Sequence, residues 1–197
     1  MTNLIARIIS TLFNPFLILP PTLYLLIDRV ASNDIYAFKW AIFSLVFMSI
    51  VGIFVLFGVI LGIFSDMDVS KREERPLLFA FMGIVAILYL ISLIIFDAPK
   101  VLLVTVFAVS LGLVLISIVN SKIKASIHVA TISSLISSVA IIYGGVFIFA
   151  FSIIPVIAWS RVKTKKHTLL EAVTGGILGI ILTIIVYIVY IVGIQFI

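Results

Sequence analysis

The chain has 197 residues, of which 64% are hydrophobic and 11% charged, and its mean hydropathy is +1.43. Soluble domains contain about half apolar residues, so this composition excludes a soluble globular protein and predicts a polytopic membrane protein. The absence of cysteine excludes disulfides, thiolate nucleophiles and cysteine-ligated metals. The net charge of +5 is attributed to loops at the membrane surface rather than to a nucleic-acid site.

Membrane spans of about 20 residues use up nearly the whole chain, so one all-α transmembrane domain is expected. The first four predicted spans cover residues 4–27, 36–64, 76–96 and 101–119. Prolines at positions 15, 20 and 21 predict a kinked or partly unwound first span. Pro76 follows the densest charge run of the chain, residues 66–76, and is well placed as the first residue of a helix.

The apolar stretch from 125 to 160 is too long for one span, because its 36 positions would make a helix of about 54 Å against a bilayer core of about 30 Å. We predict a break at Gly144 and Gly145, which gives two short spans. The last span covers residues 167–196, with Gly175 and Gly179 on one face for close helix contact. The total is about seven transmembrane helices.

This count places three polar segments on the same face of the membrane, because they follow the second, fourth and sixth spans. They are the charge run at 66–76, the loop before His128 and the loop at 160–167. Both histidines of the chain, His128 and His167, lie in this layer at the start of a helix. Ionisable groups at membrane depth are costly and are usually kept for function, so a shared site is predicted.

The spacing of His167 and Glu171 puts the two side chains on one helical face, within reach of a carboxylate–imidazole hydrogen bond. A histidine oriented in this way is suited to attack phosphorus and form a phosphohistidine, while His128 protonates the leaving alcohol and then activates water. Cationic donors for the phosphate are predicted at Lys71, Arg72, Arg75 and Arg161. The hydroxyl and backbone N–H of Ser126 would add neutral donors at a helix N-terminus. No metal or other cofactor is required.

These residues resemble the motifs of the type 2 phosphatidic acid phosphatases, a family of membrane enzymes. The third motif of that family is Ser-Arg, five residues, His, three residues, Asp. It is met by Ser160, Arg161, His167 and, with Glu in place of Asp, Glu171. The second motif, Pro-Ser-Gly-His, is met at Ser126 and His128.

The first motif, Lys, six residues, Arg-Pro, is met only at Arg75-Pro76, because Asp68 occupies the lysine position. Lys71 or Arg72 would have to take the role of that lysine. Ile127 also departs from the family, since it replaces the glycine of the second motif and its β-branched side chain restricts the turn. These departures concern the phosphate cradle, whereas Glu171 adds only one methylene to the partner of His167.

The resemblance covers roughly residues 50–185 and implies a six-helix core at 36–197, with residues 1–35 as an additional N-terminal span. It implies a metal-independent hydrolase of a lipid phosphate or diphosphate, whose amphiphilic substrate enters from the bilayer. Phosphatidate, phosphatidylglycerol phosphate and a polyprenyl diphosphate are all open as substrates.

Two other functions remain open. A catalytically degenerate relative or a non-enzymatic carrier would use the same cationic pocket to bind phosphorylated lipids. A metal-dependent prenyltransferase is suggested by Asp66 and Asp68, although such enzymes use a second aspartate-rich loop and the chain has none. The lysines at 122, 124, 163, 165 and 166 are interpreted as topology signals and anionic-lipid contacts. The serines at 133, 134, 137 and 138 are interpreted as helix packing.

Charge also predicts an orientation in the cell membrane. With Lys71, Arg72, Arg75 and Arg161 set aside as phosphate ligands, six Lys and Arg residues remain on the motif face against three on the other. The six are Arg7, Lys122, Lys124, Lys163, Lys165 and Lys166, and the three are Arg29, Lys39 and Lys100. Since cytoplasmic loops carry the excess of Lys and Arg, the active-site face is predicted to be cytoplasmic.

Overall fold

The computed structural model describes residues 2–194, and all the regular structure in that range is helical. The helices are α1 (Thr2–Leu12), α2 (Pro15–Ala31), α3 (Asp34–Ile60), α4 (Arg75–Ile95), α5 (Lys100–Asn120), α6 (Ile127–Tyr143), α7 (Ile153–Lys163) and α8 (Leu169–Ile194). Two 3₁₀ segments, Arg72–Glu74 and Gly145–Ser152, precede α4 and α7. The predicted all-α class is therefore confirmed for the described residues; Phe196, in the last predicted span, lies outside them.

Within residues 2–194, four helices are long and apolar enough to cross a bilayer: α3, α4 with its preceding 3₁₀ turn, α5 and α8. The pair α1 and α2 would make a fifth span, although it is broken. Helix α6 is apolar but has only 17 residues, and α7 has 11, against the roughly 20 that a straight span requires. The structure thus has the helices of a membrane protein, whereas the count of seven spans stays a prediction.

The predicted interruption of the first span is confirmed at Phe13 and Asn14, between α1 and α2. The break falls directly before Pro15, because the proline ring disfavours helical geometry at the residue that precedes it. Pro20 and Pro21, by contrast, lie inside α2 and do not end it.

The break predicted in the long apolar stretch is also confirmed. Helix α6 ends at Tyr143, and Gly144 follows with φ of +87°, a conformation that L side chains rarely adopt. The backbone then continues as the 3₁₀ segment Gly145–Ser152 before α7 begins. A glycine at this position therefore ends one helix and allows the chain to change direction.

The chain forms two compact units. The first comprises residues up to 15 together with 114–197, and the second comprises 16–113. In the first unit, α6 packs along α8, and α7 contacts α1, α6 and α8. The division predicted at residue 35 stays a prediction, but α1 packs in the same unit as the C-terminal helices.

Glycines allow α6 and α8 to approach closely, as predicted. A Cβ atom on Gly175 would lie 2.5 Å from the carbonyl oxygen of Ser126, and one on Gly179 would clash with the carbonyl oxygen of Ala130. Both obstacles are backbone atoms of α6 or its N-cap, so the helices would have to separate to admit a side chain. This contact fixes the start of α6 against the first three turns of α8.

The second unit has a core formed by α2, α3, α4 and α5. Its buried residues include Ile27, Trp40, Leu93 and Leu102. A smaller cluster lies under the loop that joins α3 to α4 and contains Val55, Phe64, Val69 and Leu78. This loop holds the charge run of residues 66–76, so its polar groups are anchored by a local apolar core.

Candidate functional site

The turn between α7 and α8 reverses the chain tightly after Lys163. The N–H of Lys165 donates to the carbonyl oxygen of Val162 at 3.0 Å, and the N–H of Lys166 donates to that of Arg161 at 3.1 Å. This pair of bonds is the Schellman arrangement, in which one residue takes a left-handed conformation, here Lys165 with φ of +59°. The N–H of His167 also lies 3.3 Å from the Arg161 carbonyl oxygen. The turn therefore carries His167 back beside the last turn of α7.

Helix α8 begins with a reciprocal cap made by Thr168 and Glu171. The N–H of Glu171 donates to the Thr168 hydroxyl at 3.3 Å, and the N–H of Thr168 donates to Oε2 of Glu171 at 3.1 Å. This capping box satisfies two backbone donors that the start of a helix leaves without partners. Glu171 thus has a structural role that would exist even without a neighbouring histidine.

The predicted pair of His167 and Glu171 is present, with Nδ1 of His167 3.0 Å from Oε2 of Glu171. The His167 side chain is only 2% exposed, while that of Glu171 is 20% exposed. Because a carboxylate accepts at Nδ1, that nitrogen carries the proton, and the lone pair of the neutral ring is on Nε2. The cap fixes Glu171, and Glu171 fixes the tautomer and the ring orientation of His167.

Lys124 belongs to this cluster, although the sequence analysis interpreted it as a topology signal. Its Nζ donates to the carbonyl oxygen of Lys166 at 2.9 Å and lies 3.7 Å from Oε2 of Glu171. Oε2 of Glu171 therefore faces the His167 ring, the Thr168 N–H and the Lys124 ammonium together. Spacing along the chain gave no signal for this contact, because Lys124 lies before α6 and Glu171 lies in α8.

Ser126 caps the N-terminus of α6, and its backbone N–H is committed to another helix. Its hydroxyl oxygen accepts from the N–H of Val129 at 3.5 Å, and its own N–H donates to the carbonyl oxygen of Glu171 at 3.1 Å. The residue is fully buried. The prediction that the Ser126 backbone N–H contacts phosphate is therefore wrong, because close packing of α6 against α8 has committed that group to another helix.

His128 is the second residue of α6 and is buried. The hydrogen bond between Ser126 and Glu171 ties the start of its helix to the first turn of α8. His128 and His167 thus both belong to the first unit. His167 lies in the turn between α7 and α8, and His128 lies in the helix whose cap is bonded to Glu171.

Arg161 lies in the last turn of α7 with 3% of its surface exposed. Its Nη1 donates to the hydroxyl oxygen of Ser10 in α1 at 2.6 Å. Ser160, beside it, is also buried, and its hydroxyl donates to the carbonyl oxygen of Ile157. The guanidinium is therefore held by an N-terminal helix that the sequence analysis had left outside the site.

The three cations of the first motif lie in the second unit, in or next to the loop that joins α3 to α4. Nζ of the exposed Lys71 lies 3.6 Å from Oε1 of Glu74, whose Oε2 accepts from the N–H and hydroxyl of Ser65. Arg75 is 2% exposed, and its Nε donates to the carbonyl oxygen of Val69 at 3.2 Å. Arg72 is exposed within the 3₁₀ turn. Lys71 and Arg75 thus stabilise their own loop.

Asp66, the basis of the prenyltransferase alternative, is also engaged in that loop. Its Oδ1 accepts from the N–H of Asp68 at 2.9 Å and from the Ser70 hydroxyl at 3.0 Å. Among residues 2–194, no three His, Cys, Asp or Glu side chains are grouped in a way that suits a metal ion. The geometry at Asp66 is that of a turn stabilised by its own side chain.

Comparisons of the chain with models of known protein families, with curated proteins and with solved structures find no match. The chemical properties of the first unit therefore follow from the geometry of its own residues. The first unit contains a buried histidine hydrogen-bonded to a carboxylate, a buried guanidinium in the last turn of the preceding helix and a second buried histidine at the start of α6. These groups are suited to binding an anion and transferring a group to imidazole nitrogen.

Proposed function

We propose that the protein is a membrane phosphatase that hydrolyses a lipid phosphate or diphosphate through a phosphohistidine intermediate, without a metal ion. The observation that carries the proposal is the hydrogen bond between Nδ1 of His167 and Oε2 of Glu171. The backbone of this turn is bonded to the carbonyl oxygen of Arg161, in the last turn of α7. The motif resemblance at residues 160–171 supports the same chemistry. A lipid substrate is consistent with a site built at the ends of apolar helices.

In the first step, Nε2 of His167 attacks phosphorus, and the bond between phosphorus and the leaving oxygen breaks. His128 donates a proton to that oxygen, which leaves as an alcohol or as a lipid phosphate. Arg161 contacts the phosphoryl oxygens and stabilises their charge in the transition state, while Glu171 stabilises the charge that develops on the imidazole. In the second step, His128 removes a proton from water, the water oxygen attacks phosphorus, and the bond between phosphorus and Nε2 breaks, which releases inorganic phosphate and regenerates His167.

Lys71 and Arg75 stay predicted phosphate ligands, although each also has a partner within its own loop. Arg72 stays a predicted phosphate ligand. Lys124 joins the centre as a positioning residue, since it contacts Glu171 rather than the substrate in this proposal.

The topology proposed with this function has seven spans, in which α6 and α7 are short and the motif loops face the cytoplasm. The chain has no cysteine, so single cysteines introduced at Lys122 and at Lys100 would each be the only labelling site. We expect a membrane-impermeant reagent to label position 100 in intact cells and position 122 only after lysis. Labelling of position 122 alone in intact cells would reverse the orientation.

A second candidate is a non-enzymatic protein that binds phosphorylated lipids in the same pocket. The commitment of the Ser126 N–H to Glu171 favours it, because the cradle loses a neutral donor that hydrolysis of phosphate would use. Such a protein would retain anion binding by Arg161 but release no phosphate.

The deciding experiment incubates detergent-purified protein with phosphatidate, phosphatidylglycerol phosphate and a polyprenyl diphosphate, each labelled with ³²P, in the presence of EDTA. We expect phosphate release and an acid-labile, alkali-stable phosphoprotein, both lost in His167→Ala and retained in the exposed neighbour variant Lys163→Ala. His128→Ala should accumulate the phosphoprotein when the leaving group is a good one. Equal release from wild type and His167→Ala would refute the catalytic assignment, and lipid binding without release would favour the second candidate.

A further inference from the structure

The N-terminal helix α1 has one narrow buried face. Ala6 and Ser10 are buried on it, one helical turn apart, while Leu4, Ile8 and Leu12 are exposed. Small residues at this spacing allow helices to approach closely inside a membrane. The neighbour of α1 in the first unit is α7, the helix that ends in Arg161 and the histidine turn.

This close approach brings the Ser10 hydroxyl to Arg161. Nη1 of Arg161 donates to Oγ of Ser10 at 2.6 Å, although the two residues are 151 positions apart. The serine is 7% exposed and the arginine 3%. A short, charge-assisted hydrogen bond between buried groups is a strong constraint on a long side chain.

We propose that Ser10 is a positioning residue that holds the Arg161 guanidinium ready to receive a phosphate group. This inference rests on the proposed function, since it assigns Arg161 as the phosphate ligand. A free arginine side chain has considerable rotamer freedom, which it must give up when it contacts a ligand. Fixing the guanidinium in advance lowers that cost and favours binding.

The chemistry of the partner matters as much as its position. A serine hydroxyl accepts one guanidinium N–H without contributing negative charge, whereas an aspartate or glutamate at the same place would neutralise the positive charge. Ser10 therefore orients the guanidinium and leaves its attraction for an anion intact. The N-terminal helix becomes a part of the site rather than an added span.

The test compares Ser10→Ala with Ser10→Thr, which keeps the hydroxyl, and with Thr11→Ala, which removes an exposed hydroxyl from the next position of α1. We expect Ser10→Ala to weaken inhibition by orthovanadate roughly tenfold and to raise KM by a similar factor, because hydrogen bonds to charged groups are of that strength. Ser10→Thr should recover most of the affinity, and Thr11→Ala should behave as wild type. On an Arg161→Lys background, Ser10→Ala should cause little further loss.

Direct binding of orthovanadate or inorganic phosphate, measured by calorimetry, separates this inference from the proposed function. Wild type that binds vanadate but hydrolyses no lipid would refute the phosphatase and still report on Ser10. Equal vanadate affinity in wild type and Ser10→Ala would overturn the inference, as would full additivity with Arg161→Lys or the absence of anion binding in wild type. If Ser10→Ala does not fold, Ser10→Cys provides the same comparison, because sulfur is a weak acceptor.

Discussion

The N–H of Ser126 donates to the carbonyl oxygen of Glu171 at 3.1 Å, so the first turn of α8 is bonded to the residue that caps α6. Gly175 permits this contact, because any side chain there would press on the carbonyl of Ser126. One backbone hydrogen bond thereby connects the loop that precedes His128 to the residue whose carboxylate orients His167. The same bond removes the Ser126 N–H from the group of phosphate donors.

The two roles of Glu171 can be separated by substitution. Glu171→Gln keeps the shape of the cap but replaces the charged acceptor of His167, so we expect kcat to fall by about 10²-fold, within the usual range for groups that assist proton transfer. Thr168→Ala removes the cap hydroxyl and should lower the free energy of unfolding by about 1 kcal/mol while most of the activity remains. Kinetics and unfolding in detergent measure the two effects. Equal loss of activity in both variants would show that Glu171 acts only as a cap.

Lys124 should affect activity through Glu171. Lys124→Met removes the ammonium near Oε2 and the bond to the Lys166 carbonyl, so we expect lower kcat and a loss of stability of about 1 kcal/mol. Lys122→Met changes an exposed lysine in the same loop and is expected to behave as wild type. Phosphate release and thermal unfolding are measured for both variants. An equal effect of the two would mean that Lys124 acts only through the positive charge of its loop and not through Glu171.

The contact between α6 and α8 predicts a strong position dependence for glycine substitutions. Gly179→Ala places a methyl group against the Ala130 carbonyl and should destabilise the protein by about 1–3 kcal/mol or more. Gly83→Ala in α4 meets nothing within 4 Å and should stabilise its helix by up to about 1 kcal/mol. Relative to wild type, the free energy of unfolding should therefore fall in Gly179→Ala and rise in Gly83→Ala. A neutral Gly179→Ala would mean that α6 and α8 can separate at little cost.

Two serines of α6 have buried hydroxyl groups that make no hydrogen bond to the described residues. The hydroxyls of Ser133 and Ser137 have no hydrogen-bond partner among the described residues, whereas Thr183 bonds to Ser134 at 2.9 Å. Ser133→Ala and Ser137→Ala should therefore leave stability unchanged or raise it by up to about 1 kcal/mol, because a desolvated hydroxyl is removed. Thr183→Val should lower it by about 0.6–1 kcal/mol. A clear loss of stability in Ser133→Ala would indicate that its hydroxyl holds a bound water.

The left-handed residue in the histidine turn predicts a stabilising change. Lys165 has φ of +59°, which costs an L side chain about 1 kcal/mol and costs glycine almost nothing. Lys165→Gly should raise the free energy of unfolding by about 1 kcal/mol with activity retained. Lys163→Gly, inside the last turn of α7, should lower it by a similar amount. Destabilisation by Lys165→Gly would indicate that the lysine side chain, rather than the backbone, supports the turn.

Features that depend on local spacing could be predicted from the sequence. His167 and Glu171 are four residues apart at the start of a helix, so the 3.6-residue period alone brings them together. The breaks at Pro15 and Gly144 were predictable for a similar reason, since each follows from the backbone geometry of one residue. Gly175 and Gly179 could be assigned to a helix contact, but their partner, α6, could not be identified.

Features that depend on which helices pack together could not be predicted. Lys124 was interpreted as a topology signal, and Ser10 lies in the span predicted to be additional to the core. Only packing placed these residues beside Glu171 and Arg161. The fate of the Ser126 N–H likewise depends on how closely α8 approaches the start of α6. Lys71 and Arg75 carry the charge expected of phosphate ligands, but their partners within the loop, the Glu74 carboxylate and the Val69 carbonyl oxygen, could not be predicted from the sequence.

The sequence by itself determined the membrane class, the helical content and the pair of His167 and Glu171, because composition and short-range periodicity act without reference to the rest of the chain. Only the tertiary structure decided which groups surround that pair. The contacts of Ser10 and Lys124, and the bond from the Ser126 N–H to Glu171, join parts of the chain that are distant in sequence. Such contacts follow from side-chain volume and backbone approach, as at Gly175, and no spacing rule along the chain encodes them.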